Sequence, residues 1–143
     1  MGEVLLEIPA RAEYVTLVRQ VVAAAAALEP RFRDERIEDL RLAVSEAATN
    51  AVAAHADLSR SDERVVIRCD LGDDRIEVEV FDQGAGFDPE AVGGSERIDP
   101  QRLSREHGMG IPLMRVLADE SEITSGGEGT CVRLVVYRSP PST

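Results

Sequence analysis

The sequence predicts an α+β two-layer sandwich, with a mixed, mostly antiparallel sheet and helices on one face. Three observations carry this. Two segments in the first half of the chain repeat apolar residues at helical spacing. Two strand-like segments follow at 65–71 and 75–82, and the second alternates strictly, with Ile76, Val78 and Val80 set against Glu77 and Glu79. Such alternation gives one buried and one wet face, as in an antiparallel sheet covered on one side. A glycine-rich turn at 126–129 then joins two more short strands.

Taken in order, residues 4–8 are short, apolar and stopped by Pro9, which reads as an edge strand because proline cannot donate to a ladder. Residues 12–28 place apolar side chains at 14, 18, 21, 22, 25 and 28, and Pro30 ends that helix. The most regular helix spans 34–54, with Asp34 able to cap it. Ile37, Leu40, Val44, Ala47, Ala48 and Ala51 form one stripe along it. The opposite stripe holds Asp39, Ala43, Glu46, Asn50 and Ala53. An exposed helix face usually carries long charged side chains; this one has small residues around a carboxylate and an amide, which leaves room for something to lie against it.

Residues 56–64 form a polar loop, and Gly72-Asp73-Asp74 turns the strand 65–71 into 75–82. From 83 to 107 glycine and proline recur with little periodicity; a stretch this long inside a compact domain is typically functional, for example a lid. Gly108-Met109-Gly110-Ile111-Pro112 opens a short helix to 118, with Pro112 in its first turn. Strands follow at 121–125 and 130–137. The chain reads as a single domain, 1–138, with 139–143 a disordered tail.

Composition narrows the function. The chain has 143 residues, 43% apolar and 30% charged, an ordinary globular balance, and only 3% aromatic, so its core is built of Val, Leu, Ile and Ala. Sixteen basic residues against 27 acidic give a net charge of −11. That surface repels phosphate backbones and anionic lipid, which argues against nucleic acid or a membrane as the main partner. Every basic residue is Arg. Without Lys there is no Walker lysine, Schiff base or lysine general base, so a bound phosphate must be held by backbone N–H groups, a metal ion or Arg.

Cys69 and Cys131 lie in apolar runs far from His55 and His107, and read as reduced, buried thiols rather than zinc ligands. No segment approaches ~20 apolar residues, and the acidic N-terminus lacks a basic n-region. A cytoplasmic location is expected.

Four clusters could carry chemistry. Glu46 and Asn50 sit one turn apart on one helix face; the carboxylate could activate a hydroxyl or water, and the amide oxygen could ligate Mg²⁺, which prefers hard oxygen donors. Asp82-Gln83-Gly84-Ala85-Gly86-Phe87 follows a strand. There the carboxylate could accept from an exocyclic amine such as the adenine N6, while the glycines allow close approach. Gly108-Met109-Gly110 at a helix start offers free N–H groups to an anion. Gly126-Gly127-Glu128-Gly129-Thr130 closes the last hairpin. Taken singly, each also reads as ordinary structure: a solvated helix face, a glycine turn, a helix entry and a hairpin.

Their order and spacing form one signature. From about residue 37 to 137 the chain resembles the ATP-binding domain of the GHKL superfamily, the Bergerat fold of gyrase and histidine kinases. The whole chain looks most like the bacterial anti-sigma-factor serine kinases. It is barely longer than the ATP-binding domain, and one strand and one helix precede the Glu46 helix where a histidine kinase carries a dimerisation helix. The run Leu42-Ala43-Val44-Ser45-Glu46-Ala47-Ala48-Thr49-Asn50-Ala51-Val52 also looks like that branch.

The resemblance implies ATP and Mg²⁺ as cofactors. Asn50 would ligate the Mg²⁺ that bridges the ATP phosphates, and Glu46 would be the general base for a protein serine hydroxyl. Asp82 would read adenine with Thr130 beside it. Gly84 and Gly86 would let the adenosine lie close, Gly108, Met109 and Gly110 would wrap the phosphates, and 91–107 would be the ATP lid. Two positions depart from the family pattern. Ala54 stands where the family often has His, with His55 one later. Glu106 stands where it tends to have a phosphate-facing Arg, with Arg105 one earlier as the candidate contact.

The implied function is an anti-sigma factor that phosphorylates a serine of a STAS-domain anti-anti-sigma antagonist in a partner-switching system. Tyr14 and Arg19 on the first helix would be a docking face, and a homodimer fits the resemblance. The alternative is an ATP-binding regulatory module without phosphotransfer.

Overall fold

The computed structural model describes residues 2–57, 64–82, 110–126 and 129–139. Strand β1 (Gly2–Pro9) is followed by a 3-10 turn at Ala12–Tyr14, helices α1 (Val15–Ala26) and α2 (Asp34–Asp57), strands β2 (Arg64–Leu71) and β3 (Arg75–Asp82), helix α3 (Gly110–Leu117), and strands β4 (Glu120–Gly126) and β5 (Gly129–Tyr137). The five strands form one sheet in the order β1-β2-β3-β5-β4. Every pairing among the described residues is antiparallel, so no parallel pair occurs there.

The sheet's alternation places its two faces. In β2 and β3 every second residue is buried: Val65, Ile67, Cys69 and Leu71, then Ile76, Val78 and Val80. Leu134 and Val136 extend this inner face into β5. Helix α2 packs across it on β3 and β5, with α1 beside it over β2 and α3 beside it next to β4. Leu40, Val44, Ala47, Ala48 and Ala51 are the buried side of α2. Burying a Leu, Ile or Val side chain gains about 1.5–3 kcal/mol, so this layer dominates the fold's stability. The many alanines let the helices lie close.

The outer face is mostly charged, though it also carries the exposed Leu5 and Phe81 and the buried Val135. Arg68 of β2 bridges Glu3 of β1 and Glu79 of β3, and Arg133 of β5 bonds Glu77 of β3. The two thiols fall on opposite faces of the sheet. Cys69 is buried on the inner face, which pushes its pKa up to about 12. Cys131 is half-buried on the outer face and pushed up to about 11, first by burial and then by the Glu79 carboxylate. Both are free, protonated and unreactive near neutral pH.

Several boundaries shift for physical reasons. Pro9 closes β1 opposite Arg64 rather than lying beyond it, since the last residue of an edge strand can spare its N–H. The first helix opens as the 3-10 turn and tightens again before Pro30, where the Leu28 and Glu29 amides bond carbonyls three residues back. The Arg36 and Ile37 amides bond the Arg33 carbonyl, so Asp34 occupies the first turn of α2 and is not its cap. There it still favours the positive end of the helix dipole. With no Gly or Pro to stop it, α2 runs on through His55 to Asp57, so residues 56 and 57 are helical rather than loop. The remainder of that loop, 58–63, lies outside the described residues, as do 140–143 of the tail.

Two glycines meet real constraints. Gly129 has φ 127°, a conformation L side chains rarely adopt, where the chain enters β5. At the β2–β3 turn the Gly72 amide donates to the Arg75 carbonyl at 2.9 Å, and a Cβ on Gly72 would sit 3.0 Å from that same oxygen.

Candidate functional site

Helix α2 carries Glu46 and Asn50 one turn apart, both half-buried. The side-chain oxygen Oδ1 of Asn50 is buried and has no hydrogen-bond partner among the described residues. A buried acceptor left without a partner costs about 1–3 kcal/mol, so a protein keeps one where the group has a use. Its neighbour Thr49 is spent locally, donating to the Ser45 carbonyl at 2.8 Å. An amide oxygen is a ligand for a hard cation such as Mg²⁺. Among the described residues no group of three His, Cys, Asp or Glu side chains could hold a metal. Mg²⁺ habitually takes most of its ligands from water and from a phosphate-bearing molecule, so it needs few side chains. The donor set fits that ion.

The stripe opposite the core is only partly open. Ala43 is fully buried, because α1 and α3 flank α2 from both sides. The space inferred along the whole stripe therefore narrows to its later part, around Glu46, Asn50 and Ala53, which are half-buried.

A second polar group lies at the end of the sheet. Asp82, the last residue of β3, is buried at 7% exposure and is the one buried charged residue among those described. Its cross-strand partner is Thr130 of β5, and Thr130 in turn faces Ser125 of β4. Asp82, Thr130 and Ser125 thus form one row across three strands. By alternation with Val80, Val132 and Ile123 the row is on the helix-covered face. The Ser125 and Thr130 hydroxyls are 3.1 Å apart.

Of the other expected site residues, Gly110 is the first residue of α3, which packs against α2. Gly84, Gly86, Arg105, Gly108 and Met109 lie outside the described residues, as does the lid at 91–107. The structure therefore places one expected pair on α2 and another across β3 and β5, under the same helical layer. On α1, Arg19 has a buried Nε with no partner among the described residues. The Arg41 hydrogen bond first, then the Arg41 charge and last that of Arg19, hold the Glu38 carboxyl below its usual range.

Sequence reasoning missed two features. Ser125 is one; its place beside Thr130 follows from strand register, for which the tight turn 126–129 was the available signal. The other is Arg36, at the start of α2. Its guanidinium donates to the Asp39 carboxylate, the Asp119 carboxylate and the Tyr137 carbonyl. Asp119 also accepts the Tyr137 amide at 2.6 Å. This clamp ties α2 to the α3–β4 junction and to the end of β5.

A one-sided antiparallel sheet, an acid and an amide on the central helix, and a buried acid closing a central strand together describe an ATPase-type α+β domain. The family model for the histidine kinase-like ATPase domain matches residues 8–136, and the chain belongs to that family. It is 34% identical over 139 residues to the serine-protein kinase RsbW of Listeria innocua, covering 94% of this chain and 87% of that one. It is 37% identical over 138 residues to the serine-protein kinase RsbW of Bacillus velezensis, covering 92% and 83%. The crystal structure of the RsbU and RsbW domains of a Mycobacterium tuberculosis protein superposes with a TM-score of 0.65 at 20% identity, covering 95% of this chain and 32% of that one. That likeness establishes the shared fold. Among the described residues no helix is long and apolar enough to cross a membrane.

Proposed function

We propose that this protein is an ATP-dependent protein serine kinase that acts as an anti-sigma factor, switching between a sigma factor and a STAS-domain antagonist whose serine it phosphorylates. The observation that carries the reading is the Asn50 oxygen, buried and without a hydrogen-bond partner among the described residues, one turn from the Glu46 carboxylate, in a chain whose relatives are named serine-protein kinases.

Asn50 would hold Mg²⁺, which when bound neutralises phosphate charge. Asp82 would accept from the adenine N6 amine, with Thr130 alongside, and Gly84 and Gly86 would admit the adenosine. Gly108, Met109 and Gly110 would present backbone N–H groups to the phosphates, aided by Arg105. Glu46 would take the proton from the substrate serine hydroxyl as its oxygen bonds the γ-phosphorus. The bond from that phosphorus to the β,γ-bridging oxygen breaks, and ADP leaves with the electron pair.

Tyr14 in the 3-10 turn and Arg19 on α1 would dock the protein partners. ATP and ADP would bias which partner is held, a linkage between nucleotide and protein affinity. In this reading residues 1–138 form one domain that works in the cytoplasm, with neither nucleic acid nor membrane as partner, and a homodimer is compatible with it.

A phosphotransfer assay with Mg-ATP and a STAS-domain protein from the same genome tests this. Glu46→Ala is expected to reduce transfer about 100-fold or more while ATP still binds. Glu106, two residues before Gly108, favours the second reading, a nucleotide-binding module without transfer, because an acid near a terminal phosphate is unfavourable. Absence of transfer by the parent protein, with ATP bound and unchanged partner control in Glu46→Ala, would establish that module instead.

A further inference from the structure

We propose that Ser125 is a positioning residue for base selectivity: it donates to the Thr130 hydroxyl and so directs the Thr130 proton toward the Asp82 side of the nucleotide site. The inference rests on the reading of Asp82 as the adenine acceptor.

The geometry comes from the sheet. Thr130 of β5 is the cross-strand partner of both Asp82 and Ser125, one on each side. The three side chains share the helix-covered face, and Asp82 is buried. Residues directly opposite in a sheet have Cβ atoms about 5 Å apart, within reach of short polar side chains. The Ser125 and Thr130 oxygens are 3.1 Å apart and either could donate.

In the proposed arrangement Ser125 is the donor of this pair. A hydroxyl has one proton and two lone pairs, whereas an ionised carboxylate only accepts. With Ser125 donating to one of its lone pairs, the Thr130 hydroxyl keeps its own proton free for a ligand beside Asp82. The row therefore presents an acceptor from Asp82 and a donor from Thr130. The adenine edge has the matching pattern, an amine donor at position 6 and a lone pair at N1. A 6-oxo purine has the reverse, an acceptor at position 6 and an N1–H donor. If Ser125 could not donate, the Thr130 hydroxyl could turn and accept instead, which relaxes rejection of the 6-oxo base. The effect belongs to selectivity more than to affinity. A site built on paired polar groups rejects the mismatched ligand by leaving those groups unpaired.

The test is calorimetric binding of Mg-ATP and Mg-ITP to the full chain and to Ser125→Ala, Ser125→Thr and Asp82→Asn. Expected is an ATP-over-ITP preference reduced about 5- to 10-fold in Ser125→Ala, with ATP affinity falling no more than about 3-fold, consistent with loss of one neutral hydrogen bond. Ser125→Thr, which keeps the hydroxyl, restores the preference. An unchanged ratio in Ser125→Ala, or equal weakening of both nucleotides, while Asp82→Asn collapses the ratio, overturns the role of Ser125 and leaves the adenine reading standing. A ratio that Asp82→Asn also leaves intact overturns both.

Discussion

The two halves of α2 treat polar groups in opposite ways. Near its start, Arg36 is mostly buried and places its donors on Asp39, Asp119 and the Tyr137 carbonyl. Roughly 20 Å further along, at 1.5 Å per residue, the Asn50 oxygen is buried with no partner among the described residues. Both sites bear the cost of desolvating a polar group. The first offsets it with hydrogen bonds inside the protein. The second leaves it open, which makes sense if a bound molecule closes it. The contrast separates a residue that holds the helix from one that, in the proposed function, receives a ligand.

Asn50→Ala should break the comparison most visibly. Mg²⁺-dependent ATP affinity is expected to fall roughly 100-fold or more, because metal charge stabilisation amounts to several kcal/mol. Folding stability should stay level or rise by up to about 1 kcal/mol, since a buried acceptor lacking a partner is removed. Calorimetric titration with and without Mg²⁺, beside a urea melt, reads both quantities. Loss of stability with unchanged Mg-ATP affinity would mean that Asn50 is structural like Arg36.

Much of the sheet could be read in advance, because alternation in Ile76, Val78 and Val80 sets its faces whatever packs above. The pair Glu46 and Asn50 was also legible, as spacing on a helix is a local property. What surrounds a helix is not local. Ala43 looked open from its stripe but is buried, since only tertiary packing puts α1 and α3 on either side of α2. That the Asn50 oxygen meets no partner among the described residues is likewise a property of tertiary packing. Ser125 required strand register, which one residue of slip would have reversed. Asp34 missed the cap position by a single residue, the usual precision of an element boundary.

Asp119→Ala should have the next largest effect, on stability alone. It strips the Arg36 guanidinium and the Tyr137 amide of a shared acceptor, in a pair whose side chains are each 13% exposed. A fully buried broken pair costs about 3–5 kcal/mol; with this exposure about 2–3 kcal/mol is expected. The melting temperature should drop by about 5–10 °C for a chain of this size. Below the transition, Mg-ATP affinity should remain that of the parent. An affinity that falls together with stability would mean the clamp also sets the Glu46–Asn50 geometry.

Arg68→Ala sharpens the comparison from the weak side. Arg68 is as well paired as Arg36, bonding Glu79 at 2.7 Å and Glu3 at 3.3 Å. Its side chain, however, is 36% exposed on the open face of the sheet. Water already solvates those charges in the unfolded chain and largely in the folded one, so pairing them changes little. The variant should melt within about 2 °C of the parent, and raising the salt concentration should shrink even that difference, because exposed pairs are screened. A drop as large as that of Asp119→Ala, persisting in high salt, would mean that the number of bonds decides. If the small effect is found, burial decides how much a satisfied charge matters, and the same rule makes the open oxygen of Asn50 a costly thing to keep without a use.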